Sequence, residues 1–301
     1  MKTFFSFCIA ILVIPSLLVA QTGKVFDNLT FKSKILNMDR KYSVYLPSDY
    51  EISNRSYPVL YLLHGSGDNQ SSWIQFGEVN TIADKAIAEG KSAAMIIVMI
   101  DATTGRSGYF NTLRGDYRYE DFFFQEFIPY IEKTYRIHAE KQFRAISGNS
   151  LGGWGTMIYA LHHPEMFAAA CPLSAYIRVP KVNSGNTPAD ISLRRNTAHL
   201  FWIPADTIGI SASQIDQYEN QLDAFYLIEN MPDSQKSQVR WYFDCGDDDF
   251  LYEGNAMLHI ALRKKEIPHE YRIRDGGHGW KYWREALPEV LNFVTQGFHR
   301  N

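Results

Sequence analysis

The sequence predicts an α/β fold whose central sheet is mostly parallel and covered by helices on both faces. Short β-rich runs alternate with stretches of helical spacing along most of the chain. Several of those runs are apolar on consecutive residues, as expected of strands buried on both faces rather than of half-exposed antiparallel ones. No repeat appears at any period, and no Gly/Ser-rich or Pro-rich linker divides the chain. One domain over residues 21–301 follows.

In chain order, the strand-like runs are 42–46, 59–63, 93–100, 143–147, 167–173, 239–244 and 270–273. Helical spacing occupies 79–88, 119–135, 151–162, 255–265 and 281–296. The alternation is interrupted by 175–237, a polar stretch rich in Asn, Ser, Asp and Gln. It reads as an insertion over the active end of the sheet, carrying short helices such as 213–230.

The first twenty residues stand apart. Met1-Lys2 precedes an apolar run, 4–20, broken only by Ser6, Pro15 and Ser16 and followed by polar Gln21-Thr22-Gly23. That is the pattern of an export signal over 1–20, cleaved after Ala20. The run is shorter than the roughly 20 residues of a spanning helix and Pro15 breaks it, so no stable membrane anchor is expected after cleavage. A secreted or periplasmic location follows.

Composition narrows the partners. The 301 residues are 46% hydrophobic and 21% charged, with Lys plus Arg 30 against Asp plus Glu 33, a net charge of −3. No basic field is available to hold a polyphosphate, so nucleic acid is not an expected partner. Cys8, Cys171 and Cys245 lie far apart without a CxxC pair or a Cys/His cluster, so no structural zinc is expected. Cys171 and Cys245 fall in apolar strand-like runs and are expected to be buried free thiols. The Asp247-Asp248-Asp249 run lacks the spaced pattern of a calcium loop. His162-His163 before Pro164 reads as a helix end rather than a metal pair. Asn28, Asn54 and Asn69 begin glycosylation sequons, which matter only in a eukaryotic secretory pathway.

The most informative segment is Phe143-Arg-Ala-Ile-Ser-Gly-Asn-Ser-Leu-Gly-Gly153. It reads strand, then Gly148-x-Ser150-x-Gly152, then helix. A serine on such a turn is held in a strained conformation with its hydroxyl exposed, and the flanking glycines remove Cβ atoms that would clash. The helix starting at Leu151 directs free N–H groups and its positive dipole end toward developing negative charge.

A serine hydroxyl needs a base, and the base needs a group that orients it. When the serine comes first in the chain, the acid and then the histidine should follow at strand ends. Of His199, His259, His269, His278 and His299, only His278 stands in a glycine-rich loop between a strand and a helix, Asp275-Gly-Gly-His-Gly-Trp280. It is the expected base. Asp244-Cys-Gly-Asp-Asp-Asp-Phe250 follows the preceding strand and offers four carboxylates. Adjacent aspartates would repel if all were buried, so one is expected to turn inward. Asp249, beside apolar Phe250-Leu251, is the choice, with Asp247 in reserve. The turn Leu62-Leu-His64-Gly65-Ser66-Gly67 supplies the second side of an oxyanion hole, assigned to the backbone N–H groups of Ser66 and Leu151. His64 is expected to brace that turn.

Together these residues resemble the esterase D-like group of α/β hydrolases, which includes feruloyl and acetyl-xylan esterases, S-formylglutathione hydrolases, mycolyltransferases and enterochelin esterases. The likeness spans about 42–293. It rests on Tyr61-Leu-Leu-His-Gly65 with Trp73, Phe127-Ile-Pro-Tyr-Ile-Glu-Lys-Thr-Tyr135, Gly148-Asn-Ser-Leu-Gly-Gly153, His163-Pro-Glu-Met-Phe167, Asp244-Cys-Gly with Asp249-Phe-Leu251, and Gly276-Gly-His-Gly-Trp280 with Trp283. The resemblance implies an α/β-hydrolase fold, a serine mechanism without cofactor or metal, and Asp249 as the acid. Export argues against a cytosolic glutathione thioester and toward a small-molecule or polysaccharide ester, with feruloyl or acetyl groups on plant polysaccharide as the expected substrates. The aromatic side chains of Trp73, Tyr109, Tyr176, Trp202 and Trp280 fall in loops and are the candidate substrate-binding residues, with Phe110 beside them. Two alternatives are an acyltransferase that passes the acyl group to a sugar hydroxyl and a non-catalytic glycan-binding scaffold.

Overall fold

The structure is a computed structural model, and it describes residues 22–103, 108–179 and 209–298. Eight strands form one sheet: β1 (Lys24–Ser33), β2 (Met38–Leu46), β3 (Val59–Leu63), β4 (Ile96–Ile100), β5 (Arg144–Asn149), β6 (Ala169–Leu173), β7 (Arg240–Gly246) and β8 (His269–Arg274). Their order is β1-β2-β4-β3-β5-β6-β7-β8. From β4 to β8 all neighbours are parallel, while β1 and β2 form an antiparallel pair added to the β4 edge.

The parallel strands are those the apolar runs predict. β3, β4 and β6 are buried at every position, which requires cover on both faces. On one face the core packs against the helix Leu151–His162, the helix Tyr252–Lys264 and the helical stretch that begins at Tyr119. On the other it packs against the helices Val79–Ala88 and Trp280–Phe298.

Three differences from the sequence reading have physical causes. β1 carries no continuous apolar run because it is a half-exposed edge strand, bulged between Phe26 and Leu29 with Asn28 at φ 57°. The predicted helix over 119–135 contains a π-helical segment, Phe123–Phe127, directly before the helix Ile128–Thr134. Pro129 there has no N–H to give back to the preceding turn, which accounts for the widening. The predicted helix over 213–230 is two helices, Ala212–Gln221 and Ala224–Glu229. Ser211 caps the first in a capping box with Gln214, and Asp223 starts the second by accepting from the Phe225 and Tyr226 N–H groups. The remainder of the 175–237 insertion from 180 to 208, with Trp202 and His199, lies outside the described residues, as do the 1–20 segment and Cys8.

Cys171 and Cys245 are buried free thiols, as neighbouring-strand geometry suggests. Among the described residues, no helix is long and apolar enough to cross a membrane.

Candidate active site

β5 lies in the middle of the sheet, between β3 and β6, so whatever follows it stands over the centre of the strand ends. Ser150 follows it directly. Its backbone is at φ 55°, ψ −116°, a left-handed conformation costly for a residue with a Cβ. The turn holds it there by hydrogen bonds: Ser150 N–H donates to Leu173 O at 2.9 Å, and Ser150 O accepts from Trp154 N–H and Tyr176 N–H at 3.0 and 3.1 Å.

Such a tight turn demands glycine on either side. A Cβ on Gly148 would lie 2.6 Å from Gly152 O, and one on Gly152 would lie 2.6 Å from His64 O and 2.7 Å from Leu63 O. The helix Leu151–His162 is therefore pressed against the β3 turn without intervening side chains. A Cβ on Gly65 would stand 3.5 Å from Ser150 Cβ, which puts the His64–Ser66 turn against the serine. Leu151 begins the helix, so its N–H has no intrahelical acceptor, and Ser66 is exposed on the facing turn.

His64 braces that turn from within. It is 2% exposed; its Nε2 accepts from Ala102 N–H at 2.9 Å, which leaves the proton on Nδ1 for Gly65 O at 2.8 Å. Burial pushes its pKa down, so the ring is neutral. Asp68, on the same turn, has its carboxyl pushed up by burial.

His278 and Asp249 reach Ser150 from the ends of β8 and β7. The Ser150 hydroxyl donates to His278 Nε2 at 2.9 Å, and His278 Nδ1–H donates to both Asp249 oxygens at 3.0 and 2.9 Å. Asp249 is fully buried, whereas Asp247 and Asp248 are exposed, so one carboxylate of the run turns inward as the repulsion argument requires. Burial acts to raise the Asp249 pKa, but hydrogen bonds from His278, the Leu251 N–H and Ser174 hold the carboxyl below its usual range. Asp247 accepts from Gly276 N–H instead. Asp244 is occupied by Tyr242, Tyr282 and Arg274 under the sheet end.

Ser174 was not singled out in the sequence. It is buried at φ 42° after β6, receives Trp283 Nε1–H at 3.2 Å, and contributes to the hydrogen bonding that holds Asp249 ionised. A serine in Leu-Ser-Ala carries no motif, and only the three-dimensional meeting of β6 and β7 reveals it.

The aromatic candidates divide. Trp73 and Tyr109 are corrections: both are fully buried. Trp73 donates Nε1–H to Leu63 O at 3.0 Å, and the Tyr109 hydroxyl bridges His64 O and His64 N–H at 2.9 Å each. Aromatic side chains beside a sheet end close the core beneath it because their apolar area outweighs their polar atom. Phe110, 1% exposed, does the same. Tyr176 remains half-buried over Trp154, and Trp280 half-buried against Trp73, Trp283 and Phe76. Through Trp283 this last group reaches the His278 ring, 5.1 Å away.

His162 and His163 do end the nucleophile helix, but their partner is a side chain. Both face Glu120 Oε1, at 2.7 and 3.1 Å, and His162 Nε2 meets Gln221 O at 2.8 Å. The pair ties the helix Leu151–His162 to the helix Ala212–Gln221.

The arrangement of an oriented base on a half-buried hydroxyl whose backbone is held at positive φ suits acyl transfer. The sequence matches the family described as "Putative esterase" over residues 33–294. The chain belongs to this esterase family. An esterase of Mycobacterium tuberculosis is 30% identical over 264 residues, covering 82% of this chain and 54% of its own length. The esterase chain thus spans about half the length of that curated relative. An endo-1,4-beta-xylanase/feruloyl esterase of Xylanibacter ruminicola is 36% identical over 150 residues, 47% of this chain and 20% of that one. A solved structure named as a ferulic acid esterase aligns with a TM-score of 0.76 at 35% identity, covering 92% of this chain and 99% of that one. The fold is that of the α/β hydrolases.

Proposed function

We propose that the chain is an exported serine esterase that cleaves feruloyl or acetyl esters of plant polysaccharides or oligosaccharides with Ser150, His278 and Asp249. The observation that carries the reading is the unbroken relay from Ser150 Oγ to His278 and on to buried Asp249. His278 accepts the hydroxyl proton as Ser150 attacks the ester carbonyl, and the Ser66 and Leu151 N–H groups stabilise the oxyanion. Collapse of the tetrahedral intermediate breaks the bond to the alcohol oxygen, which takes the proton from His278. Water then repeats the sequence on the acyl-enzyme and releases the acid. Export rests on the apolar 4–20 run. The substrate class is supported by the names of the two relatives that include feruloyl or ferulic acid esterase.

The test is hydrolysis by the mature chain and its Ser150→Ala variant of p-nitrophenyl acetate and butyrate, methyl ferulate, and acetylated xylan. Activity on ferulate or acetyl-xylan esters that disappears in the variant supports the reading. A folded wild type that turns over none of them overturns it.

A further inference from the structure

Phe250 is 71% exposed, although Asp249 before it is fully buried and Leu251 after it is half-buried. A large apolar side chain turned to water beside a buried neighbour is an informative exposure. Its ring lies 4.5 Å from that of His278, tilted by 51°. The His278 imidazole thus has a water-exposed aromatic ring beside it.

The direction of proton transfer decides which half of the substrate meets this wall. His278 Nε2, 2.9 Å from Ser150 Oγ, must come within hydrogen-bond reach of the leaving oxygen to protonate it. The alcohol half is therefore on the His278 side, while the carbonyl oxygen points to the Ser66 and Leu151 N–H groups. A bulky alcohol carried on that oxygen emerges past the imidazole and over Phe250. Methanol is too small to extend there. A sugar ring presents a flat, apolar C–H face that matches an exposed phenyl ring, and its hydroxyls stay in water or meet exposed Asp248 and Asp247, two and three residues away.

We propose that Phe250 is the stacking surface for the sugar on the alcohol side of the scissile ester, and so sets preference for carbohydrate-linked over simple alkyl esters. This deepens the polysaccharide-ester reading and rests on it.

The experiment keeps the acyl group constant. Wild type, Phe250→Leu and Phe250→Trp are assayed on methyl ferulate and on ferulate esterified to an arabinose-containing oligosaccharide. Leucine retains an apolar cover on His278 but not the flat ring. The expected result is that the ratio of kcat/KM for the sugar ester to that for methyl ferulate falls roughly five- to tenfold in Phe250→Leu, through KM, and is restored in Phe250→Trp. Equal losses on both esters would mean that Phe250 only shelters His278, and an unchanged ratio would mean that the sugar binds elsewhere; either overturns the proposal. A wild type that shows no preference for the sugar ester defeats the polysaccharide reading itself, a result visible before any variant is compared.

Discussion

Gly152 is where the structure makes its sharpest quantitative demand. A methyl group there would lie 2.6 Å from His64 O, 2.7 Å from Leu63 O and 2.8 Å from Leu63 C, all backbone atoms of the turn facing the nucleophile. Ordinary contact begins at 3.4 Å, so in Gly152→Ala the nucleophile helix must retreat from that turn by about 0.6–0.8 Å. Overpacking of this kind costs about 1–3 kcal/mol, or roughly 2–8 °C in Tm for a chain of this size. The catalytic effect should be larger, because the retreat separates Ser150 and the Leu151 N–H from the Ser66 N–H. A displacement approaching 1 Å in such a constellation costs on the order of a hundredfold in kcat. The matched control is Gly279→Ala, one residue from His278, where an added Cβ meets nothing within 4 Å. The assay is kcat on p-nitrophenyl acetate beside a thermal melt for both variants. Wild-type kcat and Tm in Gly152→Ala would refute the argument that close backbone approach builds the site.

Two further outcomes follow from the geometry. Asp249→Asn keeps the shape of the side chain but reverses the preference for a proton on His278 Nδ1, and should lower kcat by about 10³–10⁴-fold with KM little changed, measured under saturating ester. The Glu120 pair makes stability depend on pH. Burial acts to lower the His162 pKa, yet its bond to Glu120 leaves it raised; burial acts to raise Glu120, yet both histidines leave it lowered. The histidine contribution is thus complete below its ordinary value of 6.5 and fades as pH rises through the raised one. The carboxylate contribution is present above 4.5 and fades as pH falls through the lowered one. His162→Gln should cost about 2 kcal/mol near pH 6 and progressively less at alkaline pH, read as the Tm gap to wild type. A gap that widens above pH 8 would contradict the pairing.

How much of this was legible depends on whether a residue's role is written in its neighbours along the chain or across space. The nucleophile turn was legible because strand, glycine spacing and helix are all local, and the structure sets Ser150 at the strained φ that local pattern implies. The burial of Asp249 was legible because repulsion lets only one of three adjacent aspartates turn inward and apolar Phe250-Leu251 follow Asp249; Asp247 and Asp248 stay exposed. β1 was not, because an edge strand exposed on much of both faces leaves no apolar run to read. The aromatic residues failed for a different reason. Tyr109 and Phe250 sit in turns and Trp73 in the short helix Ser72–Gln75, all near the sheet end, and residue type alone does not say which ring turns inward; Trp73 and Tyr109 close the core and Phe250 faces water. Ser174 acts only through the meeting of two strands, which no local signal records.

The central claim is that Ser150 is the nucleophile that His278 activates. Treatment of the protein with a fluorophosphonate, followed by intact-mass and peptide analysis, tests it most directly. The account predicts one phosphonyl adduct per chain, on the peptide holding Ser150, matched by loss of esterase activity. The adduct should be absent in Ser150→Ala and slowed by several orders of magnitude in His278→Ala. An adduct on another serine, or undiminished hydrolysis by Ser150→Ala, would contradict it.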